Sequence, residues 1–220
     1  MGQPRDSQGR FAKKWGAGAV AGVALSGTVL ASGGGAAVSS GAASAGSPLA
    51  QNAARARTAK AKARTDKGKS SARKGDRDDT WRRSGLKKLQ DRTENHLLCA
   101  AVSYDEVREF FLRNRCKSLD RFIVTLQDGG DTIVVAVAWV EMNTSRDARK
   151  LQDLIDKDGT GNILPKTAAL LGAPHAKFDG ADYDSTRTRV TIAEAATVTG
   201  SPDEELLEAL AEMATLFPKP

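Results

Sequence analysis

The chain has 220 residues and a formal charge of +6, with 40% hydrophobic, 5% aromatic and 27% charged residues. That length bounds it to one or two domains, and a domain of more than about 100 residues can bury roughly two thirds of its unfolded surface without a metal or a dense set of crosslinks. The charge is unevenly spread, at +3 over residues 1–54, +10 over 55–92 and −7 over 93–220, so the acidic C-terminal part is excluded as a nucleic-acid reader and any anionic partner falls to the basic stretch.

Residues 1–14 carry Arg5, Arg10, Lys13 and Lys14, and from Trp15 to Ala54 there is no charged residue at all. A basic terminus followed by an apolar, small-residue run is what a secretory translocase recognises. Within Trp15 to Ser32 only Trp15, Val20, Val23, Leu25, Val29 and Leu30 are strongly apolar, so the segment is a weak span near the lower length limit for crossing a bilayer. Three readings stay open. The segment is an uncleaved anchor with its N-terminus in the cytoplasm, a cleaved signal with small-residue sites near Ala31 and at Ala43-Ser44-Ala45, or a Gly/Ala/Ser linker. No Arg-Arg pair precedes the run, which argues against a twin-arginine signal.

Residues 33–92 read as a disordered linker, first Gly/Ala/Ser-rich and then Lys/Arg-rich. Between Ala53 and Lys74 small and basic residues alternate with almost no large apolar side chain, too little to offset the entropy of ordering. The fifteen Lys and Arg residues of 55–92 would meet an anionic surface, either lipid head groups or wall polymers, in a chain placed outside the membrane. In a cytosolic chain they would meet nucleic-acid phosphate without sequence choice. Trp81 is the lone aromatic among them and reads as a residue docking the linker on the domain.

Residues 93–220 read as one α+β domain. The run His96 to Val102 suits a buried strand, and Ser103 with Glu106 makes a capping box opening a helix whose Val107, Phe110 and Phe111 share a face. Arg121–Gln127 and Asp131–Met142 are strands joined at Asp128-Gly129-Gly130. Thr144 with Asp147 caps a helix with Ala148, Leu151 and Ile155 inside. Gly159 to Asp184 is loop-rich, Arg187–Thr199 alternates as a strand, and Ser201-Pro202-Asp203-Glu204 starts a last helix that buries Leu206, Leu207, Leu210 and Phe217. This order suits an antiparallel sheet with helices packed on one face, for which a ferredoxin-like arrangement is one solution.

Cys99 and Cys116, seventeen positions apart, form a disulfide if the chain is exported and stay as buried thiols if it is cytosolic. Asp156, Asp158, Thr160 and Asn162 resemble the opening ligands of a calcium loop, with Gly161 at the sharp turn. The pattern then fails: Thr167 occupies the twelfth position where a bidentate Glu belongs, and Pro165 blocks the exit helix, so Asp156 and Asp158 read as solvated residues at a helix end. His96 and His175 lie in no metal spacing, and a Cys–His nucleophile pair is open only arithmetically. No catalytic residue, cofactor or small-molecule ligand is expected.

The block Cys99 to Leu119, with Val135-Ala136, Trp139-Val140, Gly159-Thr160-Gly161-Asn162 and Ala193-Glu194-Ala195, resembles a family of uncharacterised actinobacterial proteins that often carry an amino-terminal apolar segment. The likeness spans roughly Leu97 to Pro218 and implies a cell-envelope setting, with no catalytic residues. The expectation is therefore a non-enzymatic domain, exported or held at the cell membrane by a single span and carrying a polycationic stalk. Its rival is a cytosolic protein with a nucleic-acid-binding tail and a protein-interaction domain.

Overall fold

The computed structural model describes residues 48–157, 163 and 178–220, with 178–185 described by their backbone. The basic terminus 1–14, the apolar segment 15–32 and residues 33–47 lie outside the described residues, as do Asp158, Thr160, Asn162 and His175. Among the described residues no helix is long and apolar enough to cross a membrane.

The Lys/Arg tract is not a disordered stalk. It forms a 26-residue helix, α1 (Pro48–Arg73), so the folded body begins no later than Pro48 and the boundary expected at residue 93 is too late. Pro48 suits the first helical position, and the Ala, Lys, Arg and Gln residues after it have high intrinsic helix propensity. What docks the helix is a stripe of small residues, with Ala61, Thr65, Gly68 and Ala72 all buried at helical spacing. The end is sharp because Gly75, at φ +78°, donates its N–H to Ala72 O at 2.9 Å in a left-handed turn that glycine takes without steric cost.

Asp76 then caps α2 (Arg77–Arg83), accepting the Asp79 N–H. Its Trp81 is fully buried and meets Phe217 edge-on at 5.3 Å between ring centroids, so the aromatic does dock this region, from within a helix. The guanidinium of Arg77 lies over the Phe122 ring at 4.2 Å.

The five strands are β1 (Lys87–His96), β2 (Cys116–Asp128), β3 (Asp131–Met142), β4 (Phe178–Thr186) and β5 (Arg189–Thr199), in spatial order β1-β2-β3-β5-β4. Every neighbouring pair is antiparallel. Between β1 and β2 lie a 3-10 turn, Cys99–Val102, and α3 (Asp105–Arg113). After β3 comes α4 (Ser145–Ile155), and α5 (Glu204–Ala214) follows β5. The ferredoxin-like arrangement does not hold, because β1 lies at an edge and pairs directly with β2 despite the helical connection between them.

Helices cover both faces rather than one. On the first face Phe122, Val124 and Leu126 of β2, Ile133, Val135, Val137 and Trp139 of β3, and Ala193 and Ala195 of β5 pack with Ala61, Ala72, Trp81 and the α5 residues Leu206, Leu207 and Leu210. On the other face Leu119, Val140, Met142, Val190 and Ile192 pack with Val107, Phe110 and Phe111 of α3 and Ala148, Leu151 and Ile155 of α4. The alternation in β2, β3 and β5 assigns each side chain to its face.

Local starts differ from expectation in three places. The apolar run 96–102 is not a strand: β1 ends at His96, Leu97 and Leu98 are 74% and 73% exposed, and the chain turns so that Cys99 can bond to Cys116. Ser103 donates its hydroxyl to Cys99 O in place of capping, and α3 starts behind Tyr104. Ser201 gives its N–H to the Asp131 carboxylate at 3.0 Å, and α5 starts two residues after Pro202, behind Asp203.

Candidate functional site

The described residues present two groupings of polar side chains with chemistry to offer. The first is α1. The cations along its flanks bond inward. Arg57 Nε donates to Glu205 Oε1 at 3.2 Å, and Lys69 Nζ bridges Asp66 at 2.7 Å and Glu212 at 3.1 Å. Arg64 grips Asp128 with two parallel bonds of 2.8 and 2.9 Å and also donates to Ser84 O. That hydrogen bond to Asp128 raises the Arg64 pKa further.

The other cations, Arg55, Lys60, Lys62, Lys67, Arg73 and the following Lys74, are exposed and have no ion pair among the described residues. Asp66 is the lone acid of α1 and is taken by Lys69. A polar cavity of about 210 Å³ lies where α1 meets the start of α5 and the β2–β3 turn. Its lining of Arg57, Lys60 and Arg64 is balanced by Asp128, Asp131 and Asp203, which leaves no net charge to draw an anion into it.

The second grouping sits on the sheet face shared with α3 and α4. Arg121 of β2 stands opposite Ala138, and Glu194 of β5 stands opposite Ala136. Ala136 and Ala138 line a water-sized recess of about 20 Å³ together with Arg121, Glu194, Ile123 and Ile192. Buried Arg121 donates from Nη2 to Glu94 Oε2 and to His96 Nε2, both at 2.8 Å. Desolvation pushes the Glu194 carboxyl up to about 7, and partial desolvation of Tyr104, with the charges of Glu194 and Asp105 nearby, pushes its hydroxyl up.

The sequence carries a signal for this cluster. In the alternation Val190, Ile192, Glu194, Ala196 an acid occupies an apolar-face position, and Arg121 does the same between Leu119 and Ile123.

Cys99 and Cys116 are joined as a disulfide with Cα atoms 6.3 Å apart, which ties the 3-10 turn to the start of β2 and removes both sulfurs as nucleophiles while the bond is intact. His96 is engaged by Arg121 rather than by a cysteine. Of the calcium-like ligand set only Asp156 is described, as the C-cap of α4, while Ile163 of the same loop is buried in a bridge to Ser103. Among the described residues no group of three or more His, Cys, Asp or Glu side chains is placed to hold a metal ion. No family model, curated protein or solved structure matches the chain.

Proposed function

We propose that this chain is a non-enzymatic protein of the cell envelope, anchored in the membrane or exported by its N-terminal segment, whose folded domain turns a cationic helix toward an anionic surface. The observation that carries the reading is the order of parts along the chain. A basic terminus leads into forty uncharged residues, Trp15 to Ala54, the last seven of which open a helix that carries exposed cations on the flanks of its outer face. The Cys99–Cys116 bond supports it, since such bonds persist in oxidising compartments.

A cytosolic protein whose basic helix meets nucleic acid draws on the same six cations, and compartment separates the two. Native protein from cytosol, membrane and medium fractions should be weighed intact under non-reducing conditions. The envelope reading expects full-length or processed chain in membrane or medium, lighter by two hydrogens. Full-length cytosolic chain with two free thiols would overturn it.

A further inference from the structure

We infer that α1 lies along the anionic phospholipid headgroups of the membrane, held there by two rows of side chains that the fold leaves pointing outward. The inference rests on the envelope reading and names the partner of its cationic helix. Lys60, Lys67 and Lys74 follow one another at seven-residue steps and run down one flank of the outer face. Arg55, Lys62 and Arg73 run down the other. Between the rows the exposed ridge is Ala56, Ala59, Ala63 and Ser70, short enough for both rows to reach one plane.

The ridge decides how deep the helix can go. A helix that buries itself in the acyl boundary presents Trp, Phe or Leu on the inserted face, and α1 has a single large apolar side chain, Leu49, exposed at its first turn. Contact is therefore with phosphate and not with hydrocarbon, and screening by salt governs it. The geometry permits it. A 26-residue helix is about 39 Å long. The sixteen steps from Ser32 to Pro48 can span up to about 50 Å, so a domain tethered through the apolar segment can lay α1 flat on the bilayer. Among the described residues these six cations are in no ion pair: Glu205, Glu212 and Asp128 are taken by Arg57, Lys69 and Arg64, and only Lys60 lines the cavity that holds Asp131 and Asp203.

The test uses full-length protein reconstituted into vesicles of phosphatidylcholine alone or of phosphatidylcholine with phosphatidylglycerol. Lysine acetylation by a water-soluble reagent is followed residue by residue with mass spectrometry. Lys60, Lys67 and Lys74 should react roughly fivefold more slowly with the anionic lipid, as expected of a cation held at a charged surface. Lys117 and Lys150, exposed on other elements, should react equally in both. The protection should vanish at about 1 M salt, where the Debye length falls to about 3 Å.

In the triple variant K60Q/K67Q/K74Q, which alters exposed residues only, Lys62 should lose its protection while the melting temperature stays as in the parent. Equal rates for the α1 lysines in the two vesicles would overturn the inference. So would protection that survives high salt, or stronger protection by duplex DNA or by wall polymer than by phosphatidylglycerol. Failure here with the chain still found in the membrane fraction sinks the headgroup contact alone. A cytosolic chain with free thiols sinks the envelope reading instead.

Discussion

Replacing Gly68 with alanine sets two effects of opposite sign against each other, and the fold decides which wins. In a free helix the change is favourable by about 0.5–1 kcal/mol, because glycine loses more conformational freedom on ordering. In the docked α1 an added Cβ would meet Thr80 O at 2.7 Å, Ser84 Oγ at 2.6 Å and Met213 Sδ at 2.9 Å. The serine and methionine can turn aside. Thr80 O cannot, since it is backbone within α2 and already accepts the Ser84 N–H at 3.2 Å and the Ser84 hydroxyl at 2.9 Å. Overpacking of this kind costs about 1–3 kcal/mol, so the net effect is a loss of about 1–2 kcal/mol. For a body of this size that lowers the melting temperature by roughly 3–8 °C, read by calorimetry under non-reducing conditions. On the outward face Ala63→Gly carries no steric element and should cost about 1 kcal/mol from propensity alone. A melting temperature that rises in G68A would refute the close approach of α1 to α2 and α5, and with it the claim that this basic tract is part of the folded body.

Glu194 makes stability depend on pH in a defined direction. Its carboxyl rises from 4.5 to about 7 in the folded chain, so the folded state holds the proton more tightly and stability falls as pH rises from about 4.5 to about 7. Discounted for its partial exposure the cost above that window is about 1–3 kcal/mol, and Glu194→Gln should flatten this part of the urea stability profile. An unchanged slope in E194Q would assign the pH dependence to other groups. Reducing Cys99–Cys116, which closes a seventeen-residue separation, should cost about 3 kcal/mol, seen as a drop in melting temperature on the order of 10 °C in reductant. A melt indifferent to reductant would mean that the bond is absent from the protein. Arg64→Ala strands the half-buried Asp128 and should cost about 1–2 kcal/mol in urea unfolding. Arg64→Lys should recover only part of that, because an ammonium cannot reproduce the two-pronged grip. Full recovery would reduce the pair to a point-charge contact.

Where sequence and structure agree, a local physical signal had no tertiary competitor. The Asp128-Gly129-Gly130 turn falls where the hairpin signal puts it, with Gly129 at φ +58°, and β3 has the bounds its apolar run implies. Thr144 caps α4 with Asp147 N–H donating to its hydroxyl at 3.1 Å. The misses have physical causes. The strand β1 is mostly polar and exposed, as an edge strand should be, and apolar runs mark the residues that follow instead. Ser103 sits at a correct cap spacing, but the Cys99 carbonyl took its hydroxyl, while at Ser201 the Asp131 carboxylate accepts the backbone N–H that the Glu204 of a capping box would have accepted. The helix α1 was hidden because its buried stripe is Ala, Thr, Gly and Ala. Hydrophobic periodicity is blind to a helix that docks through close approach rather than through large side chains.

That mode of docking also explains how one helix can serve both the fold and a surface. A helix buried through large apolar residues draws its stability from area and can be polar elsewhere without consequence. A helix buried through small residues has less area to draw on, so polar contacts on its flanks carry more of the docking, and here Arg57, Arg64 and Lys69 supply them. These three face carboxylates of the acidic domain, which is why the +10 of residues 55–92 and the −7 of residues 93–220 lie together in one body. Charges on the opposite side of the helix gain nothing from the fold and repel one another along each row. In a sequence selected for stability alone they would be diluted with acids at i+4 positions, as on ordinary solvent-facing helices. The outer face of α1 shows no such dilution beyond Asp66, so its rows carry a repulsion that salt screens and that an anionic surface, if the proposed contact forms, would relieve further.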